Sequence, residues 1–196
     1  MNKERYAAYV LLKNYVTVLL RVMGSSFIWF LGRSKLSVTL SCPDKFKREQ
    51  LALQRAFEKL YINYDVCETC FSHCCHSSIN RFDFIDCYLN GYNLWQGLSP
   101  WHSFSHLILS SNELFRETPR ISSMEEQAEN CVYHSTSSGC LLPIGSRPGM
   151  CISGTCYRLI KRFSVKDLQR YSVLLSKYIK FYLRCHLSLL KEVVSL

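Results

Sequence analysis

Between Pro43 and Tyr64 the apolar residues Phe46, Leu53, Phe57, Leu60 and Tyr64 step by threes and fours, the spacing that puts side chains on one face of a helix. Ser41 or Asp44 is placed to cap it. The same period returns near the C-terminus, where Leu168, Leu175, Ile179, Tyr182 and Leu189 form one stripe. Ahead of that stripe, Ser164-Val-Lys-Asp167 resembles a capping box with Asp in place of Glu. A helix of ~30 residues, about 45 Å long, is expected there. The first third also reads as helical. A mostly buried amphipathic helix is predicted from about Lys3 to Met23, with helical character continuing to Leu31 and a loop after it. Gly24 and Gly32 act as helix breakers in this reading, and LSVTL alternates as a short strand does.

From Asp65 to Tyr157 the periodicity fades and turn-forming residues dominate. Two short helices are predicted inside this stretch. One starts at Ser99-Pro100, with proline at the first helical position. The other starts at Ser122 or Ser123 ahead of Glu125 and Glu126, whose charge suits the positive end of a helix, and it delivers Cys131 from its last turn. The outline is mainly α: N-terminal helices over 1–64, a loop-rich region over 65–157, and a long C-terminal helix over 158–196. At 196 residues these are expected to form one compact helical bundle packed around the middle region, with 12 Tyr, 11 Phe and 3 Trp available for its core.

The N-terminal MNKER followed by YAAYVLL has the look of a charged segment leading a short apolar one, as in a signal sequence. Lys13 and Asn14 break that run, and no small-residue cleavage site follows. The next apolar stretch, Val16 to Leu31, contains Arg21 and falls short of ~20 residues. A buried helix is therefore expected and no membrane span, which places the chain in the cytoplasm, where thiols stay reduced.

The thiols change the picture. Nine of the 11 cysteines lie between Cys67 and Cys156, seven of them in the groups CETCFSHCC and GCLLPIGSRPGMCISGTC. A core accepts thiols one at a time as small hydrophobes, whereas adjacent thiols with gaps of two and three residues converge naturally on a soft cation. Cys67-x-x-Cys70 sets two sulfurs on one turn, with Cys74 and Cys75 within reach. A disulfide scaffold explains the density less well: the total is odd, the chain is long enough to build a core without staples, and a vicinal Cys74–Cys75 disulfide is strained.

Together, the spacing Cys-x2-Cys-x3-Cys-Cys in the first group and Cys-x8-Cys-x10-Cys-x4-Cys from Cys131 to Cys156, with Gly139-Cys140-Leu141-Leu142-Pro143 and Arg147-Pro148 ahead of Cys151, resemble the YkgJ-type cysteine-cluster proteins, a family described as zinc- or iron-chelating. The resemblance covers about 90 residues, 67 to 156. It implies eight metal-ligand positions: Cys67, Cys70, Cys74, Cys75, Cys131, Cys140, Cys151 and Cys156. Pro143 and Pro148 stiffen the second group while Gly145, Gly149 and Gly154 let its backbone turn. Arg147 either donates to the sulfurs or a loop carbonyl, supporting an anionic cluster from behind, or forms a surface salt bridge. Eight thiolates exceed one tetrahedral zinc site, so the cofactor is either two metal ions or an iron-sulfur cluster with four further sulfurs. Neighbours point apart, so Cys74 and Cys75 are not equal ligands of one ion. Cys42 and Cys87 read as core thiols, and Cys185 and His186 as buried residues of the last helix. His73, His76 and His134 are substitute ligands by proximity. His102 and His106, at i and i+4, lack a third partner in sequence.

The leading functional reading is a cytoplasmic metal-binding protein holding iron-sulfur or zinc. An enzyme is the second, because some relatives with this cysteine pattern are flagellin lysine methylases; a methyltransferase or a redox reaction at the cluster follows from that resemblance. No Gly-rich nucleotide loop supports it. The third is an interaction module stapled by metal. Charge bears on all three. Residues 1–64 carry 11 Lys+Arg and 4 Asp+Glu, +7; residues 65–157 carry 4 and 9, −5; residues 158–196 carry 9 and 2, +7. The basic flanks either offset the acidic, thiol-rich middle, lowering thiol pKa values, or present Arg158, Lys161, Arg162, Lys166, Arg170, Lys177, Lys180 and Arg184 to an acidic protein partner. Nucleic acid ranks below both, since no nucleic-acid motif accompanies the charge.

Overall fold

A computed structural model describes residues 2–32, 40–62, 64, 84–90, 134–135, 139–140 and 157–195. They are mainly α: α1 Lys3–Gly32, α2 Asp44–Tyr61, α3 Phe84–Asn90, α4 Tyr157–Arg162 and α5 Val165–Ser195. A short antiparallel pairing of β1 His134–Ser135 with β2 Gly139–Cys140 sets His134 opposite Cys140. The predicted helices at Ser99 and Ser122 and the LSVTL strand lie outside the described residues.

The long C-terminal helix organises the bundle. It packs against α1 on one side and α2 on the other, while α3 touches all three. α1 and α5 run in the same direction, for Asn14 meets Tyr171, Arg21 meets Tyr178 and Gly24 meets His186. α2 runs the opposite way, with Phe46 on Phe181 at its start and Tyr61 on Phe163 at its end. The expected stripe holds: Leu168, Leu175, Tyr182 and Leu189 are buried and Ile179 packs against the same core.

The α2–α5 interface is aromatic. Phe57 meets Tyr171 and Tyr178 edge-on at 5.7 and 6.4 Å between ring centroids, and Phe163 closes the end of the cluster against Tyr64 at 4.8 Å. Edge-to-face contacts set the positive ring edge on the negative face of its neighbour, so these rings gain attraction beyond the area they bury. Phe46, Leu53, Phe57 and Leu60 are all buried, as their spacing required.

Two expectations at the helix ends are corrected. Neither Ser41 nor Asp44 caps α2. Pro43 holds the capping position with φ −57° and ψ 135° and makes no side-chain bond to the helix; its carbonyl accepts the Phe46 N–H at 2.9 Å. Asp44 is instead the first helical residue, where its charge opposes the helix dipole. Gly24 does not break α1, which runs on through Leu31, as expected, to Gly32. The reason is packing: a Cβ at Gly24 would lie 2.4 to 2.9 Å from three ring atoms of His186, so glycine is what lets α1 approach α5 here.

The start of α5 is built by three residues from two parts of the chain. The Asp167 N–H donates to Ser164 Oγ at 3.1 Å, the forward half of a capping box. In the usual box a Glu reaches back to the cap's own N–H; here the Ser164 N–H donates to the Tyr64 hydroxyl at 3.2 Å, and that hydroxyl donates to Asp167 Oδ2 at 2.7 Å. Ser164 Oγ donates to the same oxygen at 2.6 Å. The hydrogen bond from Ser164, then that from Tyr64, hold the Asp167 carboxyl below its ordinary pKa. Its contribution to stability is therefore complete above the unfolded value of about 4 and is lost as pH falls through the lower folded value. Replacing Ser164 by Ala is expected to lower unfolding free energy by about 1 kcal/mol at pH 7, read by urea denaturation, and the deficit relative to the parent chain should narrow as pH drops below about 4. An undiminished deficit at pH 2 would separate the cap from the Asp167 charge.

Candidate functional site

The eight-cysteine set belongs almost wholly to residues beyond the described helices. Cys67, Cys70, Cys74, Cys75, Cys131, Cys151 and Cys156 lie outside the described residues, as do Arg147, His73, His76, His102 and His106. Cys140 is placed by its backbone alone, opposite His134 across the short pairing. Among the described residues no group of three or more His, Cys, Asp or Glu side chains is arranged to hold a metal ion.

The three cysteines outside that set are all resolved in the helical core. Cys42 precedes α2, Cys87 sits in α3 and Cys185 in α5, and each is buried. Burial pushes the Cys42 thiol up to about 11, the nearby Lys47 opposing this only in part. A thiol held protonated in this way packs as a small hydrophobe and is a poor ligand, since only the thiolate binds metal well. These are the roles expected for Cys42, Cys87 and Cys185. His186 is half-buried, tilted against Tyr182 at 5.8 Å and pressed on Gly24.

The described chemistry that sequence reasoning missed is a polar seam inside the bundle. On α1, Asn14, Thr17, Arg21 and Ser25 recur every three or four residues and are all buried, with Lys13 beside Asn14 at the edge of the same face. Lys13 donates to the Ser172 carbonyl at 2.9 Å and to the hydroxyls of Ser172 and Ser176. Tyr171 donates to Asn14 Oδ1 at 2.7 Å. Arg21 is the centre of the seam: Nη2 bonds Asp86 Oδ2 at 2.7 Å, Nη1 donates to the Tyr178 hydroxyl at 2.9 Å, and the guanidinium lies 5.3 Å from the centroid of the Tyr182 ring. The side chains of Arg21 and Asp86 are only 4% and 2% exposed.

That pair joins three helices. The planar fork of arginine lets one side chain meet a carboxylate, a hydroxyl and an aromatic face at once, which lysine cannot do. It also bears on α3, a short helix at a position other than the two predicted in the middle region. The seven-residue segment FIDCYLN brings Asp86 to Arg21 while Phe84, Ile85, Cys87, Tyr88 and Leu89 are buried in the shared core. Burial and the bond to Glu192 at 2.5 Å raise the Tyr88 hydroxyl pKa, tying α3 to the far end of α5. The signal in the sequence was two lone opposite charges, Arg21 and Asp86, each inside an apolar run.

Lys3–Ile28 within α1 has the length and composition to cross a membrane, a test that a core helix or a signal sequence also meets. No clear membrane span is thereby defined. Comparison with known protein families, with curated proteins and with solved structures finds no match to the chain.

Removing one member of a buried ion pair strands the other in a low-dielectric interior, at a cost of about 3–5 kcal/mol. Arg21→Met is expected to destabilise the protein by that amount in urea denaturation. The double replacement Arg21→Met/Asp86→Leu should recover more than half of the loss, because both charges are then gone. A double variant as unstable as the single one would show that the pair contributes through shape rather than charge.

Proposed function

We propose that the chain binds zinc or an iron-sulfur cluster through the thiolates of its middle region, and that its relationship is to the YkgJ-type cysteine-cluster proteins. The observation that carries this reading is the density of thiols in residues 67–156 once the others are accounted for. Cys42, Cys87 and Cys185 serve the helical core, so packing explains three of the 11 cysteines and leaves the eight of the pattern as a separate set.

The donor chemistry fits both metals. Thiolates are soft ligands, and sulfur-rich sets suit tetrahedral zinc and iron-sulfur clusters alike. Cys67, Cys70, Cys74 or Cys75, Cys131, Cys140, Cys151 and Cys156 would hold the group, with Arg147 supporting it from behind. When bound, such a group supplies either a structural crosslink or an electron-transfer centre. A reducing compartment such as the cytoplasm keeps these thiols available. Binding and local folding are then one equilibrium, because a loop-rich stretch with little hydrophobic periodicity gains its order from the ligand bonds.

The test is elemental analysis with an optical spectrum on protein isolated anaerobically. Stoichiometric zinc with a colourless solution, or iron with visible charge-transfer absorption, supports the proposal and chooses between its two forms. Cys140→Ser and Cys151→Ser should each lose most of the metal, while Cys42→Ser and Cys87→Ser keep it. A metal-free protein, or equal metal content in all four variants, would overturn the assignment.

A further inference from the structure

α1 is apolar on both its buried and its outer side. Its buried side holds Asn14, Thr17, Arg21 and Ser25, while its outer side exposes Leu12, Val16, Met23, Phe27, Phe30 and Leu31, with Leu12 61% and Phe30 83% exposed. In an ordinary water-facing helix the apolar stripe turns inward. Here the buried ion pair and its polar neighbours share the inward face with Ala7, Val10, Leu11, Val18 and Ile28, and a second set of apolar side chains is left outside.

The exposed strip does not end at the edge of α1. Ser172 and Ser176 of α5 face α1 through Lys13. Leu183 and Leu187 follow them by eleven residues, three helical turns, and Val194 follows Leu183 by eleven more, so all three share the edge of α5 that borders α1. Each is exposed. Gly24 meets His186, which sets Phe27, Phe30 and Leu31 of α1 level with the Leu187 end of this edge. The two helices together present one apolar band.

A basic band runs beside it. Lys166, Arg170, Lys177, Arg184 and Lys191 recur at intervals of four and seven on α5, on the side where Arg184 pairs with Glu49 of α2. α2 adds Lys45, Arg48, Arg55 and Lys59 at intervals of three, seven and four on its own exposed face. Residues 1–64 and 158–196, which supply these helices, each carry +7.

We propose that this surface docks onto the face of an anionic lipid bilayer, with the α1–α5 apolar band in the headgroup–acyl boundary and the α5–α2 lysines and arginines on the lipid phosphates and carboxylates. Apolar residues on one side and basic residues on the flank are what an interfacial helix requires. The same arrangement excludes α1 from crossing the bilayer, because α5 lies alongside it in register and its exposed Lys177, Lys180 and Lys191 would have to enter hydrocarbon. Nucleic acid would use the basic band but has no place for Phe30 and Leu12. A second copy would cover the apolar band but would bring like charge against like.

Flotation of the full-length protein with phosphatidylcholine vesicles, with and without about 30 mol% phosphatidylserine at about 0.15 M salt, tests the proposal. The protein should float with the anionic vesicles and not with the neutral ones. Phe27→Ser/Phe30→Ser should reduce partitioning at least tenfold. Lys177→Glu/Lys191→Glu should reduce it by roughly fivefold for each charge reversed. All these side chains are exposed, so the variants should keep the parent's helical circular dichroism and its metal content, which makes this result separate from the metal proposal. Failure to float with anionic vesicles would overturn the inference, as would variants that float like the parent. So would a dimer in sedimentation that Phe27→Ser/Phe30→Ser dissolves without vesicles ever binding, which would assign the band to self-association.

Discussion

The guanidinium of Arg21 has to be satisfied inside the bundle, and that constraint shapes most of what surrounds it. A buried cation without partners would cost several kcal/mol, a large part of the net stability of a domain. Asp86 therefore comes from a distant part of the chain, Tyr178 turns its hydroxyl toward the pair, and Tyr182 lays its ring beside it. Once Arg21 points inward, helical periodicity brings Asn14, Thr17 and Ser25 to the same side. The consequence at the surface follows: an apolar helix that gives part of its inward face to polar residues shows more of its apolar side chains outside, Leu12, Phe27 and Phe30 among them.

The two sides of α5 hold their partners by different physics. Against α2 the contact is a set of aromatic rings, tolerant of small shifts and non-directional in its main term. Against α1 it is a ladder of hydrogen bonds between fixed donors and acceptors, which sets register to within one residue. Asn14 with Tyr171 and Arg21 with Tyr178 repeat at the same offset along both helices, so a slip of α1 would break every rung together. Gly24 extends the contact between the two helices, its missing side chain leaving the space that the His186 ring fills. Tyr64 completes the frame by linking the segment after α2 to the start of α5.

The helices were legible because their faces repeat. Phe46 to Leu60 and Leu168 to Leu189 bury the side that the spacing indicated, and Ser164 caps where its pattern lies. What could not be read were features that depend on partners distant in sequence. Arg21 reads locally as an interruption of an apolar run, and only the position of Asp86 in space turns it into a centre of packing. Gly24 reads locally as a breaker; its neighbour His186 is 162 positions away. Tyr64 extends the apolar stripe of α2 by spacing, yet its hydroxyl serves the cap of another helix. For the candidate metal centre the structure bears on the thiols at its margin. Cys42, Cys87 and Cys185 take the core positions expected of isolated thiols, while the ligand positions fall outside the described residues apart from the backbone of Cys140.

The basic flanks admitted two uses from sequence, one internal and one external, and their exposure favours the second. A cation lowers a thiol's pKa strongly only at short range and in a poorly hydrated setting. Lys166, Lys177, Lys180 and Lys191 stand in solvent, where salt screens their field over about 8 Å. Arg21, the described cation best placed to act in a low-dielectric interior, is committed to Asp86. Exposed lysines do act at short range on a surface brought up to them, and there their effects add along the stripe. The exposed positive charge of these helices is thus well matched to an anionic surface outside the molecule.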